Sequence, residues 1–471
     1  MLPRDPHQRE WTGALLLVLV IAFMSGALFG YDQGVISGAL AGLQRALSLT
    51  PFEVEVVTSW VTLGALVGSL AGGELADRAG RRRSLIAAGL LFTLGAAIEA
   101  FAPSVGVLVV GRLAVGFGVG VAAVAAPLYA AELAPADKRG RFISSYQLAI
   151  TVGIFLSYLV DQLLAEDESW RMMLGASAVP AGLLVLALLG AVESPRWLLR
   201  KGRRDEARAS LTRTQPAMDA AREIAALEAS LHAESAGAAW RDVFARRWRR
   251  PLVIGVGLAI FQQVTGINAI IYYADRIFAA AGFATAHAQT VATTWAIGAV
   301  NVVATFIAIG FIDRAGRRPL LIAGFAGMFV SLAVVAIAFY ALERSTAGAG
   351  SALGLVTLLA LVVFIVSFAF SLGPVTWTVI NEIFPGQIRG RAVAVATAVN
   401  WGAAFVVSQF FLTLVDAVGE PFTFEVFAVC CVAGGIWVWR TVPETRGRSL
   451  EEIEAQWTAA PADAAPGKLA A

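Results

Sequence analysis

Long apolar stretches alternate with short polar hinges along the whole chain. Twelve apolar runs can be marked, each near the ~20 residues a helix needs to cross the hydrocarbon of a bilayer. The first six lie at about 14–38, 54–75, 85–102, 105–131, 142–164 and 172–192. The second six lie at about 252–274, 290–311, 320–341, 353–380, 392–415 and 422–439. Backbone groups in lipid must be satisfied internally, so the pattern predicts an all-α membrane protein with 12 transmembrane helices. The long polar stretch divides it into an N-terminal half (1–192), a linker (193–251), a C-terminal half (252–440) and a tail (441–471).

The polar hinges repeat. Asp-Arg-Ala-Gly-Arg-Arg runs from Asp77 to Arg82 and again from Asp313 to Arg318, an offset of 236 residues. Glu132-x-x-Pro135-x-x-x-Arg139-Gly140-Arg141 recurs as Glu382-x-x-Pro385-x-x-x-Arg389-Gly390-Arg391, offset by 250. A weaker pair is Glu193-Ser-Pro-Arg196 and Pro443-Glu444-Thr445-Arg446. The chain therefore reads as two pseudo-symmetric six-helix bundles, the architecture of a carrier whose halves rock about a central site.

Composition agrees: 58% of residues are hydrophobic and 15% charged, against roughly 25% charged in soluble domains. The net charge of +2 matters less than its distribution. Of 36 Lys and Arg residues, 31 fall in the termini, the linker and alternate hinges, which puts those segments and both termini on the cytoplasmic side of an inner (plasma) membrane. Such basic segments suit anionic lipid headgroups rather than nucleic acid. The first run is too long for a signal-peptide core and is expected to stay as a span. Cys430 and Cys431 are adjacent and read as packing residues, while His7, His232 and His287 lie outside the runs, so no histidine-based metal site or proton relay is expected. The linker carries helix-forming, amphipathic stretches, and the Ala/Pro-rich tail is expected to be disordered.

An ionisable residue inside a membrane is costly and marks function. Away from the run ends there are two, Asp32 and Arg112. At ~1.5 Å per residue both fall at about the same depth, so an ion pair is the natural way to neutralise them. One alternative is a static structural pair. The other is a proton switch, in which a nearby arginine holds Asp32 ionised and its withdrawal favours the neutral acid. Glu55, Glu74, Glu99, Asp161 and Glu425 fall near run ends, where water is expected to reach them. At the 236-residue offset, Gly30-Tyr-Asp32 aligns with Gly266-Ile-Asn268, an amide replacing the acid.

The second half instead collects uncharged polar and aromatic groups: Gln262, Gln263, Asn268, Tyr272, Tyr273, Asn301, Trp377, Asn400 and Trp401. Amides donate and accept hydrogen bonds, and indoles stack on apolar C–H faces, a combination suited to a neutral polyol or sugar. Singly, each group could equally serve as interhelical glue or as part of an interfacial belt. An enzyme is not expected, because no nucleophile–base set, metal cluster or phosphate loop is visible, and no cofactor is implied.

At this point the motifs resemble the sugar porter family of the major facilitator superfamily. The resemblance rests on Phe29-Gly-Tyr-Asp-Gln, Glu193-Ser-Pro-Arg-Trp-Leu, Gln262-Gln-Val-Thr-Gly-Ile-Asn268, Gly373-Pro-Val-Thr-Trp377 and Pro443-Glu-Thr-Arg-Gly-Arg-Ser-Leu-Glu-Glu. It departs at Val192, where the family usually has proline. The resemblance implies the major facilitator fold and a protein that works as a monomer. It implies sugar contacts at Gln147, Gln262, Gln263, Asn268, Tyr272, Asn301, Gly373, Trp377, Asn400 and Trp401, with Phe29 and Phe368 as apolar neighbours. Asp32 and Arg112 match the coupling pair of proton symporters, whereas facilitative relatives carry a neutral residue in place of the acid. Arg78, Glu132, Arg139, Glu193, Arg314, Glu382, Arg389 and Glu444 resemble a cytoplasmic charge latch holding the outward-open state. Ile154 stands where xylose–proton symporters have glutamine and glucose transporters an apolar residue, and Asn400 is like glucose carriers; both favour a hexose over a pentose. The expected function is proton-coupled import of such a sugar. A facilitative uniporter, a pentose symporter and a non-transporting sugar sensor remain as alternatives.

Overall fold

The computed structural model describes residues 11–135, 138–166, 169–215, 220–234, 240–344, 350–385 and 388–446, with Arg448 and Glu452. His7 and the tail beyond Trp457 lie outside the described residues. The described chain is helical, and twelve helices are long and apolar enough to cross a membrane. Spans 1 to 6 are Gly13–Leu47, Pro51–Ala79, Arg81–Ala100, Val105–Leu133, Ser144–Leu164 and Trp170–Gly190. Spans 7 to 12 are Arg246–Tyr272, Ala286–Phe311, Arg317–Arg344, Ala352–Ile383, Arg389–Gln409 and Phe411–Thr441. Between the two sets run short helices at Pro195–Arg200, Arg204–Thr214, Ala220–Glu234 and Trp240–Val243. Leu90, Leu94, Leu186, Val303, Phe306 and Ile337 are among the large apolar side chains left on the outside of the bundle, where lipid solvates them.

Local chemistry sets the helix ends. Thr50 and Glu53 close a reciprocal capping box ahead of span 2, with Pro51 in its first turn. Span 1 continues nine residues beyond the apolar run that predicted it and stops at Ser48, whose φ of 51° turns the backbone left-handed. Its last turns carry Gln44 and Arg45, so the helix outlasts the hydrophobic pattern. Span 8 likewise begins earlier than its run, which places the exposed His287 in its first turn.

The two hinges of identical sequence fold identically. Gly80 (φ 100°) and Gly316 (φ 88°) each reverse the chain between a pair of spans. A Cβ at Gly80 would lie 2.4 Å from the Glu193 carboxylate, and one at Gly316 would lie 3.0 Å from that of Glu444. Glu193 accepts from the backbone N–H groups of Arg81 (3.0 Å) and Arg82 (3.1 Å). Glu444 accepts from those of Arg317 (3.0 Å) and Arg318 (3.1 Å). Each carboxylate thus satisfies the orphan donors at the positive end of a membrane helix.

Spans 1, 2, 4 and 5 pack through glycine. A Cβ on Gly30 would stand 1.8 Å from the carbonyl oxygen of Ile150, and one on Gly116 2.0 Å from that of Val61. Backbones meet this closely only where side chains vanish. Across from them, span 7 breaks at Gly266 (φ 89°), span 10 at Ser371 (φ −126°, ψ −89°), and span 8 holds a π-helical turn at Thr293–Ala299. Broken helices inside a bundle place free backbone groups at membrane depth, where they line cavities.

The halves meet in a seam at the end opposite the linker. Glu55 accepts from the backbone N–H (2.6 Å) and hydroxyl (2.7 Å) of Thr413. Ser59 donates to Gln409 (2.7 Å), Tyr158 to the Ile271 carbonyl (2.8 Å), and Thr294 to the Tyr158 carbonyl (3.0 Å).

Candidate functional site

Two kinds of polar group converge between the halves. On the N-terminal side, Arg112 is wholly buried, and its Nη1 donates to Asp32 Oδ1 at 2.7 Å. Its Nε donates to the Val57 carbonyl at 2.9 Å, which fixes the guanidinium against span 2. Glu99 Oε1 lies 3.7 Å from the same Nη1. One arginine therefore faces two carboxylates. Glu99 was expected near water but is 2% exposed, because spans 3 and 4 close on it through Gly95 and Gly111. Glu55 and Asp161 are buried as well, since Thr413 of the opposite half covers the first and Gly38 of span 1 packs against the second. Glu74 and Glu425 are exposed, as anticipated.

On the C-terminal side the amides form a chain. Gln262 Nε2 donates to the Leu372 carbonyl at 2.7 Å, tying span 7 to the first residue after the break in span 10. Asn400 Nδ2 donates to Gln262 Oε1 (2.8 Å) and to the Ala259 carbonyl (3.0 Å). Gln263 Nε2 donates to Asn400 Oδ1 (3.2 Å), and Asn268 Nδ2 to Gln263 Oε1 (2.9 Å). The chain then crosses to the other half: Gln33 Nε2 lies 3.5 Å from both Asn268 Oδ1 and the Tyr272 hydroxyl. Gln33 follows Asp32 directly. Its place in the Phe29-Gly-Tyr-Asp-Gln motif was the signal for it, but it was not singled out because that run was read for its charge, Asp32, and amides were sought in the second half.

Asp32, Gln33, Tyr272, Phe29 and Trp401 line one small gap, with the Phe29 and Trp401 rings 5.3 Å apart across the interface. Gln147 and Ile154 lie one below the other on span 5, the first half-buried and the second buried. Asn301 is buried two residues past the π-helical turn. Gly373 packs against Phe368, and Trp377 is half-buried on the helix that follows the break in span 10.

At the linker end, Arg81 Nη2 donates to Glu132 (3.0 Å) and Arg317 Nη2 to Glu382 (3.1 Å), the same contact in each half. Sequence comparison had singled out Arg78 and Arg314 instead. Arg78 turns to Glu74 on its own helix (2.5 Å) and Arg314 is exposed, because each lies at the end of a span before the chain reverses at Gly80 or Gly316, whereas Arg81 and Arg317 open the next span. Arg389 Nε donates to the Phe384 carbonyl at 3.0 Å. The side chain of Arg139 lies outside those described.

A model of the family described as "Sugar (and other) transporter" matches residues 17–457. The chain is 38% identical to the glucose transporter GlcP of Staphylococcus epidermidis, covering 93% of this chain and 96% of that one. It is equally 38% identical to the arabinose-proton symporter of Escherichia coli, covering 93% and 92%. The inward-open structure of the xylose transporter XylE from E. coli superposes with a TM-score of 0.80 at 32% identity, over 94% of this chain and all of that one. The chain is a member of the sugar porters of the major facilitator superfamily, a multi-pass inner-membrane transporter and not an enzyme.

Proposed function

We propose that this protein imports a neutral hexose together with protons by alternating access, with the linker and both termini in the cytoplasm. Asp32 carries the proton, Arg112 tunes it, and the amide chain from Gln262 to Asn268, with Tyr272, Trp377 and Trp401, holds the sugar. The buried Asp32–Arg112 pair, joined through Gln33 to the amides of the other half, carries this reading. A proton on Asp32 weakens its hold on Arg112, and Glu99 then supplies the guanidinium with a second carboxylate, so the arginine never stands unpaired. The same proton frees Asp32 and Gln33 to reorient against the sugar site. Arg78, Arg139, Arg314 and Arg389 join the linker-end latch in the outward-open state, while the structure here is closed at the opposite end.

The proton-coupled reading is supported by the arabinose-proton symporter among the relatives, and the hexose reading by GlcP and by the apolar Ile154. Uptake of labelled glucose, galactose, xylose and arabinose into proteoliposomes tests both. Accumulation above the outside concentration is expected only with an inward proton gradient, and strongest for a hexose. Equal uptake with and without the gradient would make the protein a uniporter.

A further inference from the structure

We propose that Asp161 and Asp275 form a second proton-binding site, distinct from Asp32, in the seam between the halves, and that a proton bound there holds the seam closed. The two acids come from opposite halves and straddle consecutive residues of span 1. Asp161 Oδ2 accepts from the backbone N–H of Gly38 at 3.3 Å, while the backbone N–H of Asp275 donates to the Ser37 hydroxyl at 3.1 Å. Gly38 permits this approach, since a Cβ there would lie 2.4 Å from that of Asp161. Asp275 Oδ1 accepts from Thr293 on span 8 at 2.5 Å, and Thr294 next to it donates to the Tyr158 carbonyl of span 5.

The groups around the acids make a proton the fitting ligand. Asp161 is 1% exposed, and its Oδ1 has no hydrogen-bond partner among the described residues. The charge of Asp275 bears directly on Asp161. Tyr31 and Tyr158 lie in the field of Asp161, but their hydroxyls already donate to the carbonyls of Met173 and Ile271. Arg276, the adjacent cation, turns away to Gln44. Neither carboxylate has an ion-pair partner among the described residues. Two buried carboxylates without a counter-cation repel when both are ionised, and one proton between them removes the repulsion. Because they belong to different halves, the repulsion acts directly on the seam. A cation of the size of sodium would need more convergent oxygens than these side chains supply.

The inference is independent of sugar coupling and is tested in an Asp32→Asn chain in detergent, where both ends are accessible. Cys430 and Cys431 are replaced by alanine and a reporter cysteine is placed at the buried Ala274, beside Asp275. Maleimide labelling is normalised to the unfolded chain at each pH, because the thiolate fraction itself rises with pH. The expected result is labelling several-fold faster at about pH 8.5 than at about pH 5.5, as the acids lose their shared proton. Adding either Asp161→Asn or Asp275→Asn, each of the same size, should leave labelling slow at both pH values. Labelling that does not change with pH in the parent, or the same change persisting in both Asn variants, overturns the proposal.

Discussion

The two halves share their hinges but not their interiors. At the linker end they are near copies: Arg81 and Arg317 meet Glu132 and Glu382, and Glu193 and Glu444 hold the starts of spans 3 and 9. Midway through the membrane they diverge. The N-terminal half keeps spans 1 to 5 unbroken and packs them through glycine around three charges, Asp32, Glu99 and Arg112. The C-terminal half breaks spans 7 and 10 and fills the breaks with amides. A buried charge needs a dry, rigid frame, because any slack strands it without a partner. A sugar site needs the reverse, with donors and acceptors that can exchange one another for ligand hydroxyls. On the proposed roles, divergence within a duplicated frame lets each half meet one demand.

The sharpest way to break this comparison is to make the acid of the first half resemble the amide of the second. Asp32→Asn keeps size but cannot titrate, and Arg112 retains Glu99 as a partner. Concentrative uptake is expected to vanish, while exchange between two sugar-filled compartments largely survives, because the proposed polar sugar contacts lie on other helices. In the parent, protons and sugar favour each other, so apparent affinity should fall as pH rises, and this dependence should flatten in the variant. A variant that still accumulates sugar under a proton gradient would make the ion pair structural.

A smaller effect is expected on the other side. Gln262→Ala removes the bond to the Leu372 carbonyl and leaves Asn400 Nδ2 with the Ala259 carbonyl alone, whereas Trp377→Ala touches no link of the amide chain. Sugar binding measured by calorimetry should weaken in each by about 1–3 kcal/mol. Proton-driven accumulation at saturating sugar should persist, which separates the ligand half from the proton half. If both bind sugar as the parent does, the second half does not hold the site.

How much of this was legible beforehand follows from the physics of each signal. Span number, the two halves and the Asp32–Arg112 pair were readable because lipid enforces length and punishes lone charges. The convergence of Gln262, Gln263, Asn268 and Asn400 was readable as a set, but not as a hydrogen-bonded chain, since side-chain partners on different spans leave no spacing in the sequence. Glu99, Glu55 and Asp161 were misplaced because hydropathy locates the lipid boundary and not the covering of one helix by another. Arg81 and Arg317 were passed over for Arg78 and Arg314 because a run of arginines gives the motif without saying which member faces its partner.

The smallest expected effect tests the part of the comparison in which the halves agree. Burial alone would push the Glu444 carboxyl up, but the N–H groups of Arg446, Arg317, Arg318 and Thr445 outweigh it and hold the group below the usual carboxylate range. A carboxyl depressed in the folded state adds stability above its unfolded value of about 4.3, and that stability is lost as pH falls through the folded value. Glu444→Gln removes the negative charge at the start of span 9 and should cost roughly 0.3–1 kcal/mol at about pH 7. Thermal unfolding in detergent should show the variant below the parent at that pH and the gap closing in acid. Glu193 makes the matching contacts to Arg81 and Arg82 at the start of span 3, so Glu193→Gln should lower the midpoint at about pH 7 by a similar amount. If only one variant shifts, the two hinges bear unequal loads, and the symmetry of the linker end is one of shape without being one of energy.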